Sequence, residues 1–219
     1  MVEKYEPAAD AIEFRDKSNR VPKTMIATQS QPYLSPEEYL AAEEISPIKH
    51  EYIDGDVYAM AGASDAHVTI SLNCASLLKS HLRGTGCRVF MADMKARVNR
   101  LNRFFYPDVM VTCDERDRST PLIKCYPCLI IEVLSDSTEA FDRGNKFADY
   151  QEIETLTEYV LISQSRQRLD CFRRNEEGFW VLQSYKLGDR VHFKSVDFYT
   201  TIKEIYEDVV IEDAIAQMQ

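Results

Sequence analysis

A chain of 219 residues is long enough for one large core and short for two, which predicts a single domain over residues 31–219 behind a poorly ordered leader of about 30 residues. Its 45% hydrophobic and 28% charged residues are the balance of an ordinary globular protein. No apolar run approaches the roughly 20 residues of a membrane span, so the cytoplasm is the expected compartment, and a net charge of −10 excludes a protein that coats nucleic acid with a generally basic surface.

The first element is expected at Ser35-Pro36-Glu37-Glu38, where a serine cap precedes proline at the first helical position and glutamate stands three residues after the cap; the helix should run to about Glu44. His50 to Met60 reads as a hairpin around Asp54-Gly55. Val68, Leu72, Ala75, Leu78 and Leu82 recur at helical spacing between Ser64 and Arg83, before Gly84. Cys87–Val98 and Phe104–Cys113 then read as two strands, joined by a polar, basic turn and followed by a charged loop over 114–124. Cys128–Leu134 is nearly all apolar, the signature of a strand buried on both faces. A helix over 142–153 and strands from Glu158 to Tyr185, turning near 175–178, lead to short strands and a last helix near 202–208. This order predicts an α/β fold with a mixed sheet flanked by helices.

Six cysteines at 74, 87, 113, 125, 128 and 171 are expected to be reduced and structural, several lying in apolar runs where a thiol packs as a small hydrophobe. Cys125-Tyr-Pro-Cys128 has the spacing of a redox or zinc pair, but no second such pair is present to complete a zinc site. Seven lysines and arginines from Lys79 to Arg103, Lys95 and Arg97 among them, face one acid, Asp93. Such a stripe suits a nucleic acid backbone, and a solvated hairpin face explains the same count.

Glu132 is the one ionisable residue in the run Cys128–Leu134, and an unpaired carboxylate in a buried strand is expensive, so it must have a partner: a metal, an arginine, or water at a strand end. Asp108 follows Pro107 at the head of another strand, where the sheet can open. Two acids at neighbouring strand ends make an oxygen-rich pocket suited to magnesium or manganese. Strand alternation puts Glu51 on one face with Ile53, pointing an acid toward an apolar layer; it is either a third carboxylate of the site or a salt-bridge partner. Helix geometry places Arg143, Lys146 and Tyr150 on one face, offering a cation of the kind that phosphodiester cleavage needs.

Taken together, Glu51-Tyr-Ile-Asp-Gly-Asp-Val, Pro107-Asp108-Val, Ile131-Glu132-Val-Leu-Ser135 with Ser137-Thr138, and Asp142-Arg143 with Lys146 and Tyr150 resemble the Uma-two family of restriction endonucleases, from about Tyr33 to Asp208. The resemblance implies the restriction-endonuclease-like fold and a magnesium- or manganese-dependent endonuclease acting on DNA. It implies Asp108, Glu132 and Glu51 as metal ligands, with Lys146 as the catalytic lysine. Arg143, Tyr150, Lys95 and Arg97 are candidate substrate contacts. The sequence departs from the superfamily motif at Leu134, two residues after Glu132, where a lysine is expected; in this reading Lys146 on the following helix replaces it. A module that keeps the fold without catalysis, binding nucleic acid or a protein, is the competing reading, and a homodimer is plausible on a two-stranded substrate.

Overall fold

Ser35 caps helix α1 (Pro36–Ile45) as its sequence predicts: its hydroxyl accepts from the Glu38 amide, and the Glu38 carboxylate accepts from the Ser35 amide. The computed structural model describes residues 33–60 and 62–211, and the expected leader lies outside them. Two compact units divide the chain, Met1–Met60 and Ala61–Gln219. In the first, β1 (His50–Ile53) and β2 (Asp56–Ala59) form the expected hairpin. Its turn has positive φ at both Asp54 and Gly55, which the residue pair Asp-Gly tolerates.

Tyr39 of α1 stacks on Tyr52 with ring centroids 5.0 Å apart and donates its hydroxyl to the His50 carbonyl, while Glu43 accepts from the His50 amide at 2.8 Å. These contacts bury His50 and Tyr52. Glu51 and Ile53 lie on the opposite, half-buried side of the strand. Within this unit Tyr52, not Glu51, occupies the layer against α1.

The second unit holds α2 (Asp65–His81), β3 (Arg88–Met91), β4 (Lys95–Val98), β5 (Arg103–Phe105), β6 (Val109–Thr112), β7 (Ile123–Lys124) and β8 (Leu129–Leu134). After them come α3 (Glu139–Arg143), α4 (Asn145–Tyr150), β9 (Glu158–Ser163), β10 (Arg168–Arg174), β11 (Trp180–Lys186), β12 (Arg190–Phe193), β13 (Phe198–Thr201) and α5 (Ile202–Ile205). The main sheet has the order β11-β10-β9-β8-β6-β3, with β8 and β9 parallel and every other pair antiparallel. β4 pairs with β5 and β7, and β12 with β13.

Both faces of the main sheet are covered, which is why β8 reads as an apolar run. Ile70, Cys74 and Leu78 of α2, with Ile202 and Ile205 of α5, pack on the face that carries Val109, Ile131 and Val133. Aromatic rings fill the other face: Tyr150 meets Phe105 edge-on at 5.2 Å, and Phe147 stacks on Tyr159 at 5.0 Å.

Several segments differ from expectation, among them the charged loop over 114–124, which holds a 3-10 turn (Glu115–Arg118) and β7. Each of the two long strands around residue 100 is two strands. One breaks at Ala92-Asp93-Met94, with Ala92 at φ 52, and the other at Tyr106-Pro107-Asp108, so that the Ala92 amide bonds the Asp108 carbonyl at 3.1 Å. Proline has no amide hydrogen for a ladder, and the chain leaves one sheet for the other there. The helix expected over 142–153 is broken at Gly144 into α3 and α4; Gly144 has φ −113 and ψ −101, outside the helical region.

The cysteines also need correction: Cys87 and Cys113 form a disulfide across the neighbouring ends of β3 and β6. The antiparallel register, Arg88 opposite Thr112, brings the two residues face to face, an arrangement invisible in a separation of 26 residues. Cys74, Cys125, Cys128 and Cys171 are free. Alkylation in denaturant without reductant is expected to label those four, and all six after reduction, read by intact mass; six labels before reduction would contradict the cross-link.

Candidate functional site

The β6–β8 pairing creates the site. Val109 stands opposite Ile131, so Asp108, one position beyond, comes beside Glu132 where β6 ends and β8 continues with β9 alone. Glu132 alternates with Val133 and therefore faces the aromatic side of the sheet, away from α2. The Asp108 amide points at Glu132 Oε2 at 3.4 Å, and Asp108 Oδ2 accepts from the Val133 amide at 2.7 Å. The aspartate side chain thus replaces the missing strand partner of Val133, and the two acids, 24 residues apart in sequence, adjoin at the sheet opening.

Glu132 is 3% exposed. Its Oε1 accepts from the Tyr150 hydroxyl at 3.0 Å and lies 3.0 Å from Lys146 Nζ, which also reaches Asp142 at 3.5 Å. A buried carboxylate requires such a partner, and the fold supplies the Lys146 ammonium from α4 rather than the arginine the sequence allowed. Lys146 is itself 5% exposed and lies over the Phe105 ring at 5.6 Å. Leu134, on the same face of β8 as Glu132, is buried.

Lys146 and Tyr150 reach Glu132 together, four residues apart on α4. Arg143 does not join them. The break at Gly144 turns it to Glu139 at 2.7 Å and to Asp170 of β10 at 2.9 Å. Burial pushes the Asp170 carboxyl up, and hydrogen bonds from Ser184, Arg168 and Arg143 outweigh that and hold it below the usual aspartate range. Tyr150 is fully buried, so in this arrangement it positions Glu132 and offers no surface to a substrate. Glu51 belongs to the first unit, while the cluster of Asp108, Glu132, Lys146 and Tyr150 is built from the second alone.

Along the basic stripe, Arg103 pairs with buried Asp149 and Arg100 with Glu152. Arg97 donates to Asn102 at 2.6 Å and lies over Phe104, and Lys95 donates to the Tyr106 hydroxyl at 3.2 Å. Lys79, Arg83 and Arg88 are exposed.

Sequence reasoning missed His67. It stands in the first turn of α2, where Ser64 caps its amide, and its Nε2 is 2.9 Å from Asp108 Oδ1. One of four histidines, it lies 41 residues from Asp108 in a helix whose pattern advertises only its apolar face, so no local signal singles it out.

Two carboxylates and an imidazole are donors of the kind that hold divalent first-row ions or magnesium. Among the described residues, no three His, Cys, Asp or Glu side chains already stand as a ligand set. Asp108 Oδ2 accepts from the Val133 amide and Oδ1 meets His67 Nε2, whose role depends on its tautomer, and a carboxylate oxygen carries a second lone pair. In donor chemistry the residues fit a divalent ion.

The fold is a mixed sheet between helices, with Asp108 and Glu132 adjoining where the β6–β8 pairing ends. It matches a solved structure, a "putative nuclease belonging to DUF820" from Anabaena variabilis, with a TM-score of 0.68 over 80% of this chain and 98% of that one, at 17% identity, a likeness of fold. The family Uma2, "Putative restriction endonuclease", matches residues 36–197, and the chain belongs to it. Two similar proteins of Synechocystis, the uncharacterized proteins slr1290 and sll1609, are 42% and 34% identical over 80% and 72% of this chain and 92% and 90% of their own lengths.

Two outcomes test this packing. Lys146→Met, which leaves Glu132 without its ammonium partner, is expected to lower unfolding free energy at neutral pH by about 3 kcal/mol in urea titrations; a change below about 0.5 kcal/mol would show that the pair carries no such burden. The depressed Asp170 carboxyl contributes stability that is complete above its unfolded value near ~4 and is lost as pH falls through its lower folded value. The stability gap between wild type and Asp170→Asn should therefore be widest at neutral pH and shrink below about pH 4; a pH-independent gap would contradict the depression.

Proposed function

We propose that the protein is a metal-dependent DNA endonuclease, hydrolysing phosphodiester bonds at the Asp108–Glu132–Lys146 cluster. The observation that carries this reading is the adjacency of two acidic residues at the sheet opening, where the Asp108 amide lies 3.4 Å from the Glu132 carboxylate and a separate helix supplies a lysine 3.0 Å from that carboxylate. In this reading Lys146 replaces the lysine that the superfamily motif carries on the strand, where Leu134 stands.

Asp108 and Glu132 would hold magnesium or manganese. When bound, such an ion offsets charge building on the phosphate and lowers the pKa of a water. The chain's own residues do the rest. The Val133 amide fixes the Asp108 carboxylate, and Tyr150 and Lys146 fix that of Glu132. The Lys146 ammonium orients the attacking water and offsets developing negative charge, an effect strengthened where burial lowers the local dielectric. The DNA backbone would be met by the exposed Lys79, Arg83 and Arg88, with Lys95 and Arg97 beside them, against a chain otherwise acidic.

Supercoiled plasmid nicked in magnesium or manganese, and spared in EDTA, is the expected behaviour. Asp108→Ala and Lys146→Ala should each lower the nicking rate by about 10²–10³ with the fold retained by circular dichroism. Cleavage indifferent to EDTA and to both substitutions would reject the site. Leu134 and the protein partners on every carboxylate oxygen favour a second reading, a non-catalytic DNA- or protein-binding module. Metal titration by calorimetry separates the two readings, since a decayed cluster binds no ion.

A further inference from the structure

We infer that His67 Nε2 is a ligand of the divalent ion beside Asp108, which makes the centre a mixed carboxylate–imidazole site that takes manganese or another first-row ion in preference to magnesium. The inference rests on the metal-dependent reading above and extends it to the identity of the ion. It begins with a contact, His67 Nε2 to Asp108 Oδ1 at 2.9 Å. Lone pairs on the two atoms repel at that distance, so a positive species must lie between them, either a proton on Nε2 or a shared cation. Two donors bound at right angles to one ion at ~2.1 Å are themselves about 3 Å apart, so the observed separation suits adjacent ligands as well as a hydrogen bond.

Charge favours the cation. Glu132 has the Lys146 ammonium, whereas among the described residues Asp108 faces no lysine or arginine, only the neutral Val133 amide and the imidazole. Among the described residues, its carboxylate forms no ion pair with a lysine or arginine. The imidazole is also placed as a ligand should be. Ser64 holds the His67 amide at 3.1 Å, and the Ser71 hydroxyl holds its carbonyl at 2.8 Å, fixing the backbone of the first turn of a 17-residue helix. Both side chains keep 17% exposure, enough for an ion to enter from solvent. Imidazole nitrogen binds manganese, cobalt and zinc well, and magnesium, which prefers oxygen and water, poorly.

Pulsed electron paramagnetic resonance of manganese-loaded full-length protein tests this directly, because a coordinated histidine imprints a ¹⁴N coupling on the ion. The coupling is expected in wild type and absent in His67→Gln, whose manganese affinity by calorimetry should fall at least tenfold while its melting temperature stays near that of wild type. Manganese bound by wild type but lost in Asp108→Ala, without any ¹⁴N coupling, overturns the inference and leaves the metal-dependent reading intact: His67 then only positions Asp108. A coupling that persists in folded His67→Gln assigns the nitrogen to another histidine and overturns it too. If wild type binds no manganese, both readings fail. Should His67→Gln fail to fold, the wild-type spectrum decides by the presence or absence of nitrogen, with Asp108→Ala locating the ion.

Discussion

The carboxylate of Glu132 lies inside a sheet covered on both faces, and the Lys146 ammonium 3.0 Å away is what makes that burial tolerable. A buried charge left alone is worth several kcal/mol against folding. Much of the second unit answers that one constraint. α4 must lie over β8 to deliver the ammonium, Tyr150 must be buried beneath it to occupy the same oxygen, and Phe105 and Tyr159 must enclose Tyr150. The hinge at Gly144 follows from it as well. It releases α4 to face Glu132 while Arg143, one residue before the hinge, answers a second buried acid, Asp170 of β10.

The proposed function uses the same arrangement for a different end. A carboxylate held by lysine and tyrosine, beside an aspartate held by an amide and an imidazole, is rigid before any substrate arrives, and electrostatic catalysis rewards that preorganisation. The two acids differ in kind. Glu132 is buried and matched by a permanent cation; Asp108 is partly open and matched by an imidazole. A centre built in this way has a protected, charge-compensated side and a side on which an ion can complete the balance.

Several elements are legible in the residues themselves. The α1 capping box, the Asp54-Gly55 turn, the extent of α2 and the apolar β8 are recorded in local spacing, because each depends on residues within a few positions of one another. Two of the five apolar residues read as the buried stripe of α2, Val68 and Leu72, are exposed, and Ile70 and Cys74 pack on the sheet instead. Where reading failed, the cause was distant. The run from Cys87 to Val98 has unbroken strand chemistry, and only the change of sheet at Ala92 divides it. The helix from Asp142 onward has acceptable helical spacing, and only the separate partners of Arg143 and Lys146 break it. The disulfide depended on strand register, which pairs Cys87 with Cys113 rather than with any of four other cysteines.

The sequence by itself determined that Glu132 needed a partner, because an ionisable residue in an apolar run carries its own energetic demand, and its resemblance to a family, rather than local pattern, marked Asp108 and Lys146. Only the tertiary structure decided which groups meet: Asp108 beside Glu132 through the β6–β8 register, Lys146 rather than an arginine on Glu132, and His67 on Asp108. The physical reason is range. Periodicity and capping are fixed within a turn or a strand, whereas a charge finds its partner across tens of residues only when the sheet order and helix packing are in place.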